Sequence, residues 1–161
     1  MHIAPRKYAR GMTLIELMVV VVIATILVSL AVPSYMSQVR RGRRVEAKAL
    51  VLDLAGREER YYSTSVNGAN YSQTATDLGY NALPAVVGNG YYQLSVCAVG
   101  PAMAGNCAPS NQAAPAFVAT AVAQGTQAQD TQCITFAVDN TGQRWAFDNA
   151  NNDTTTTCWN N

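Results

Sequence analysis

Histidine is almost missing: the chain has one, His2, inside its first eleven residues. If that stretch is removed, no imidazole remains to serve as base, nucleophile's partner or ligand. Cysteine is missing from the first 96 residues, and the four that follow (Cys97, Cys107, Cys133, Cys158) show no C-x-x-C spacing. A zinc centre is therefore not expected. No glycine-rich loop of the phosphate-cradling kind occurs. Basic charge is scarce beyond residue 62, where Arg144 stands alone against Asp77, Asp130, Asp139, Asp148 and Asp153. Such an acidic surface argues against nucleic acid as a partner. The aspartates are scattered, and the role expected of Asp139 is in a turn. No enzyme activity, cofactor or metal is expected.

Charge is absent altogether from Leu17 to Val32, and this stretch is what the chain is organised around: GMTLIELMVVVVIATILVSLAVP, residues 11–33. From Met12 to Val32 a helix would reach about 31 Å at about 1.5 Å per residue. A bilayer's hydrocarbon core is about 30 Å thick. Lipid offers no partner to open backbone groups, so a helix is the expected form. Glu16 breaks the pattern, since an acid at membrane depth costs about 2.5–3.5 kcal/mol on insertion scales. Proteolysis can supply its partner. A cut between Gly11 and Met12 creates an α-ammonium four residues before Glu16, able to pair within the chain or with a neighbour.

Basic leader, Gly11, then Met12-Thr13-Leu14-Ile15-Glu16-Leu17 and a long apolar run: this resembles the processing site of type IV pilins and pseudopilins. The resemblance implies a leader, residues 1–11, removed by a prepilin peptidase that also methylates the Met12 amine. It places Glu16 fifth after the cut, as a residue of assembly register, and Pro33 twenty-second, as a helix kink. Two positions depart from the pattern: Met12, where most members carry Phe, and Thr25, where many carry Gly. Further on, Glu59-Arg60-Tyr61-Tyr62 and the Cys158-Trp159 ending resemble PilE-type minor pilins. In these the last disulfide bounds a surface loop.

The formal net charge of +1 is unevenly spread, with a basic stalk over residues 34–62 and an acidic head over 63–161. Positive charge flanks the apolar run on both sides, so the charge rule alone does not orient it. Four late cysteines suit an oxidising compartment, and with the pilin resemblance they place the head outside. The protein is thus expected in the bacterial inner membrane, C-terminus periplasmic, and later in a surface pilus. Four cysteines allow three pairings. Joining sequence neighbours gives the expected pairs Cys97–Cys107 and Cys133–Cys158.

Along the chain, residues 12–33 form the membrane and filament-core helix, and 34–62 continue it as an amphipathic half. There Ala47, Leu50, Val51 and Leu54 repeat at helical spacing. The polar, glycine-rich stretch 63–90 reads as loop, with a short helix near Thr76–Leu78. Strands are expected over Tyr91–Val99, Ala116–Ala123, Cys133–Val138 and Gln143–Phe147. The last two form a hairpin around Asp139-Asn140-Thr141-Gly142. Asn149–Thr157 reads as a polar tail clipped back by Cys158. The fold class is therefore α+β, a long N-terminal helix on a four-stranded antiparallel sheet, as in the type IV pilin fold.

Read this way, the protein is a filament subunit, first of all a minor pilin in pilus assembly, attachment and twitching motility. Alternatives are a major pilin, a type II secretion pseudopilin, or a pilin that captures DNA. The implied partners are other pilin subunits, the prepilin peptidase, the inner-membrane assembly platform and the membrane itself. Ser29-Leu30-Ala31 also has the spacing of an ordinary signal-peptidase site. Intact mass of the working form separates the two readings. The expected species begins at a methylated Met12; a chain beginning at Val32 would exclude the pilin reading.

Overall fold

The computed structural model describes residues 11–65, 70–99 and 116–160. Two compact units are present, the first ending at Gln38 and the second running from Val39 onward.

The first unit is helical from Leu14, with Pro33 inside the helix. Its valines, leucines and isoleucines are all exposed, and the run is long and apolar enough to cross a membrane. Such side chains gain nothing from water, so this surface calls for lipid or other helices as its solvent. The same helix, α1 (Leu14–Thr64), continues into the second unit.

In the second unit α1 buries Ala47, Val51 and Leu54, the stripe that the helical spacing predicts, with Leu50 half-buried beside them. Arg44 and Glu58 lie on the same buried face at either end of this stripe. The sheet has five strands: β1 (Ala85–Val87), β2 (Tyr92–Val99), β3 (Ala116–Ala123), β4 (Thr135–Asp139) and β5 (Arg144–Phe147). They are paired antiparallel in chain order. One row crosses all five, through Ala85, Leu94, Ala121, Phe136 and Ala146. Its members in β2 to β5, together with Phe117 and Ala119, form the core against α1. Alanine at 119, 121 and 123 leaves the room that Val51 and Leu54 fill. Side chains at 116 and 118 face the other way, into a second cluster with Val99, Ala137 and Trp145.

The sheet is thus one strand wider than the expected four. The extra strand, β1, lies in the stretch read as loop. Three residues, Ala-Val-Val, are too few to show alternation, and they become a strand only by pairing with β2. Residues 75–79 form a hydrogen-bonded turn in place of the expected short helix. The expected polar tail is ordered as well. Asp148 accepts N–H bonds from Ala150 and Asn152, Asp153 bridges to Phe147, and Thr155–Trp159 form α2. Local side-chain acceptors do there what apolar burial does elsewhere. Cys133 and Cys158 are joined by a disulfide that closes this segment onto the start of β4.

What ties α1 to the segment between β3 and β4 is ionic. Arg44 donates twice to Asp130, at 2.6 and 2.7 Å, in a buried bidentate pair. Asp130 follows a short 3-10 turn, Gly125–Gln129, and Gln127 of that turn donates to Asp130 and to the Arg40 carbonyl. Removing one member strands the other charge in a dry setting. Asp130→Ala should therefore cost about 3–5 kcal/mol. An Arg44→Met, Asp130→Leu double variant should lose much less. Urea unfolding of the three proteins in detergent checks both expectations.

Candidate functional site

Four features of the sequence were expected to carry function: the Gly11–Met12 bond, Glu16, Pro33 and the cysteines. Gly11 and Met12 are exposed and non-helical, directly ahead of α1. The bond between them lies outside the helix. Glu16 lies in the first turn. Its backbone N–H donates to Thr13 Oγ1 at 3.3 Å, and its carboxylate accepts from the Thr13 N–H at 3.4 Å. This reciprocal pair is a capping box, Thr-x-x-Glu, which occupies two donors that a helix start leaves open. The spacing was visible in the sequence, where Glu16 was read only as a charge awaiting a cation. Pro33 stands within α1. Cys97 lies in β2, while its expected partner Cys107 falls outside the described residues.

The head adds sites that sequence reasoning missed. Glu58 is fully buried, accepts one N–H bond from Ser72, and has Glu59 and Asp77 as like-charged neighbours. Burial first, then those charges, push its carboxyl up to about 7, against the pull of the Ser72 bond. Its only sequence signal was its place on the buried stripe, four residues after Leu54. A cleft of about 220 Å³ opens nearby, between Arg57, Arg60 and Tyr61 of α1 and the turn at Asp77–Gly79. Arg57 is already committed there, to Asp53, to the Leu78 carbonyl and to the Tyr80 ring.

Besides Arg57 at Tyr80, basic side chains meet aromatic rings at two further places. Arg43 lies over the Tyr91 ring, 3.4 Å from its centre, and donates to Thr126, while neighbouring Arg40 donates to Gln129. Arg144 lies 5.1 Å from the centre of the Trp159 ring, and Lys48 donates to the Trp159 carbonyl at 3.1 Å. Trp159 is itself fixed by an N–H bond to the Trp145 carbonyl. Burial and the nearby Arg44 hold the Lys48 amine below its usual range. Arg144, isolated in the sequence, is thus joined in space by a lysine nearly a hundred residues earlier. Stacked guanidinium and ring groups of this kind suit planar bases and phosphates. Among the described residues no group of acidic, histidine or cysteine side chains could hold a metal ion.

Comparison with known proteins gives two family matches. Residues 33–137 match the family described as type IV minor pilin ComP, DNA uptake sequence receptor, and residues 6–32 match the prokaryotic N-terminal methylation motif. Among solved structures, a type IV pilin from Shewanella oneidensis is 23% identical; the match covers 65% of this chain and 89% of that one, with a TM-score of 0.42. No curated protein sequence matches the chain.

The buried Glu58 makes stability depend on pH in a defined direction. Its folded-state value, about 7, lies above the ordinary 4.5, so the folded form holds the proton more tightly. Stability is then full below about 4.5 and falls as pH rises through 7, by about 3 kcal/mol in all. Glu58→Gln keeps an acceptor for Ser72 and removes the titration. Its stability, followed by thermal unfolding between pH 4 and 8, should lack this decline.

Proposed function

The chain belongs to the family of type IV minor pilins named for ComP, and from that premise we propose that it serves the pilus as a DNA-binding subunit. The family's description supplies the class of ligand. The observation that carries it to this chain is the meeting of Arg144 and Lys48 at Trp159, the first over its ring and the second on its carbonyl. The acidic head argued against nucleic acid, because its charge was counted by segment. Folding brings Lys48, from the basic half of α1, to the same tryptophan as Arg144 of the head. In this reading Arg144 and Lys48 hold phosphates, the aromatic edge takes a base or sugar, and the Arg40–Arg43 pair beside Tyr91 extends the track.

The N-terminal part fits the same role. Met12–Val32 anchors the protein in the inner membrane with its head outside. The leader is cut after Gly11, the Met12 amine is methylated, and Glu16 meets that cation in its own or a neighbouring subunit. Pro33 allows the helix to bend as the subunit moves from bilayer to fibre. Disulfide closure by Cys133–Cys158 keeps Trp159 in place, one residue beyond the bridge.

A phosphate-holding face makes binding salt-dependent, with a slope in log–log form of about −0.9 for each phosphate neutralised. Full-length protein in detergent should bind a labelled DNA duplex at low salt and release it as salt rises. Arg144→Ala should flatten the slope by about 0.9, and Trp159→Ala should weaken binding with little change in slope. Duplex binding that neither variant alters would exclude this face.

A further inference from the structure

Near its C-terminal end, α1 places Arg57, Arg60, Tyr61 and Thr64 at helical spacing along one strip. That strip is one wall of the cleft of about 220 Å³, and the turn from Thr76 to Gly79 is the other. The two walls are held at a fixed separation. Arg57 donates from Nη1 to the Leu78 carbonyl at 3.0 Å and from Nε to Asp53 at 2.7 Å. Gly79 has a φ of +76°, and a methyl group there would come within 2.8 Å of Arg57 Nη1. Only glycine lets the turn take this conformation so close to the helix. Leu78 and Tyr80 both donate to the Ala75 carbonyl, which closes the turn on itself. Ser72 ties it down further, its N–H donating to buried Glu58 and its hydroxyl to Asp77 Oδ2 at 2.7 Å.

With Arg57 spent on these contacts, the cleft keeps one unmet charge of each sign. Among the described residues the Arg60 guanidinium makes no ion pair, and Asp77 has only its Oδ2 engaged, by Ser72. The two stand on opposite walls and do not close on each other. Beside them the lining adds the hydroxyls of Tyr61, Thr64 and Thr76. We propose that this cleft binds a free α-amino acid. A carboxylate and an ammonium on one carbon meet both charges at once. The carboxylate takes the planar fork of Arg60 in the two-bond geometry suited to it, and the ammonium donates to Asp77 Oδ1. Clefts for drug-sized ligands begin at about 300 Å³, so this one suits a single residue. A peptide lacks the chemistry: its internal residues carry neither charge, its first has no carboxylate and its last no ammonium. An inorganic anion would satisfy Arg60 but would set its charge against that of Asp77. None of these residues belongs to the face proposed for DNA.

Titration calorimetry of the full-length protein in detergent at pH 7, with L-alanine and L-glutamine as probes, tests this. At least one should bind, one molecule per chain. Its N-acetyl derivative lacks the ammonium and its α-amide lacks the carboxylate. Each should bind about tenfold more weakly or worse, the loss of one charge-assisted hydrogen bond. Arg60→Ala and Asp77→Asn should each weaken the parent amino acid by about the same factor. Arg60→Lys, which keeps the charge but not the fork, should fall between. Asparagine at 77 keeps an acceptor for Ser72, and Arg60 is exposed, so melting temperatures should stay near that of the unaltered chain. Arg41→Ala removes the same charge from an exposed site elsewhere on α1 and should bind normally. No binding of either amino acid, equal binding of either derivative, binding unchanged by Arg60→Ala, or an equal loss in Arg41→Ala overturns the proposal.

Discussion

Arg44 carries a guanidinium into the contact between a long helix and a sheet, and the structure depends on how that charge is met. Desolvating it without a partner would cost more than the neighbouring Val51 and Leu54 contribute by their burial. Asp130 meets it in a fork-to-fork pair, and Gln127 closes the remaining gap. The geometry leaves little freedom. A bidentate pair fixes both distance and plane, so the turn that carries Asp130 fixes where α1 lies along the sheet. Apolar contacts alone would tolerate sliding by a turn, because alanines line much of the receiving surface. The ion pair supplies the register that a smooth core does not.

The same helix has to satisfy two solvents. From Leu17 to Val32 every large side chain is apolar and exposed; from Arg40 onward the surface alternates between a buried stripe and charges. A helix apolar on all sides is stable only where water is excluded, and one with a single stripe needs a partner on that stripe alone. No change of secondary structure is needed at the boundary, because hydrogen bonding within the helix is indifferent to which solvent lies outside. This is why one element spans both compact units. It also explains why the basic residues cluster where they do: they follow the apolar run at the point where water returns.

Much of this could be read from the chain. The apolar run, the buried stripe at Ala47, Val51 and Leu54, and strand β2 follow from patterns that repeat several times, and β4 and β5 from the hairpin signal between them. What escaped reading was short or distant. Strand β1 has three residues and exists through its neighbour. Helix α2 and the loop before it are ordered by aspartate side chains acting on nearby N–H groups, a pattern that composition registers only as polar. The meeting of Lys48 with Arg144 around Trp159 depends on how β5 and α2 come to lie beside α1, and no local signal encodes it. Counting charge by segment therefore gave an acidic head, when the relevant surface is assembled from two segments of opposite sign.

Glu16 shows how a local arrangement changes an energetic argument. As an isolated acid in oil it carries a penalty of about 2.5–3.5 kcal/mol, which demands a full counter-charge. In the structure it caps the helix that it begins, sharing reciprocal bonds with Thr13. Its negative charge lies at the positive end of the α1 dipole, worth about 0.3–1 kcal/mol at an exposed position. Part of the penalty is then met before any ammonium is formed. The bond to its carboxylate is long, at 3.4 Å, so the cap holds the carboxylate loosely. On the proposed reading, a cation made at Met12, of this subunit or the next, would compete for an acceptor that is oriented but not consumed. An acid held in this way could sit in the bilayer before assembly and change partners during it, which a tightly paired or an unpaired carboxylate could not do.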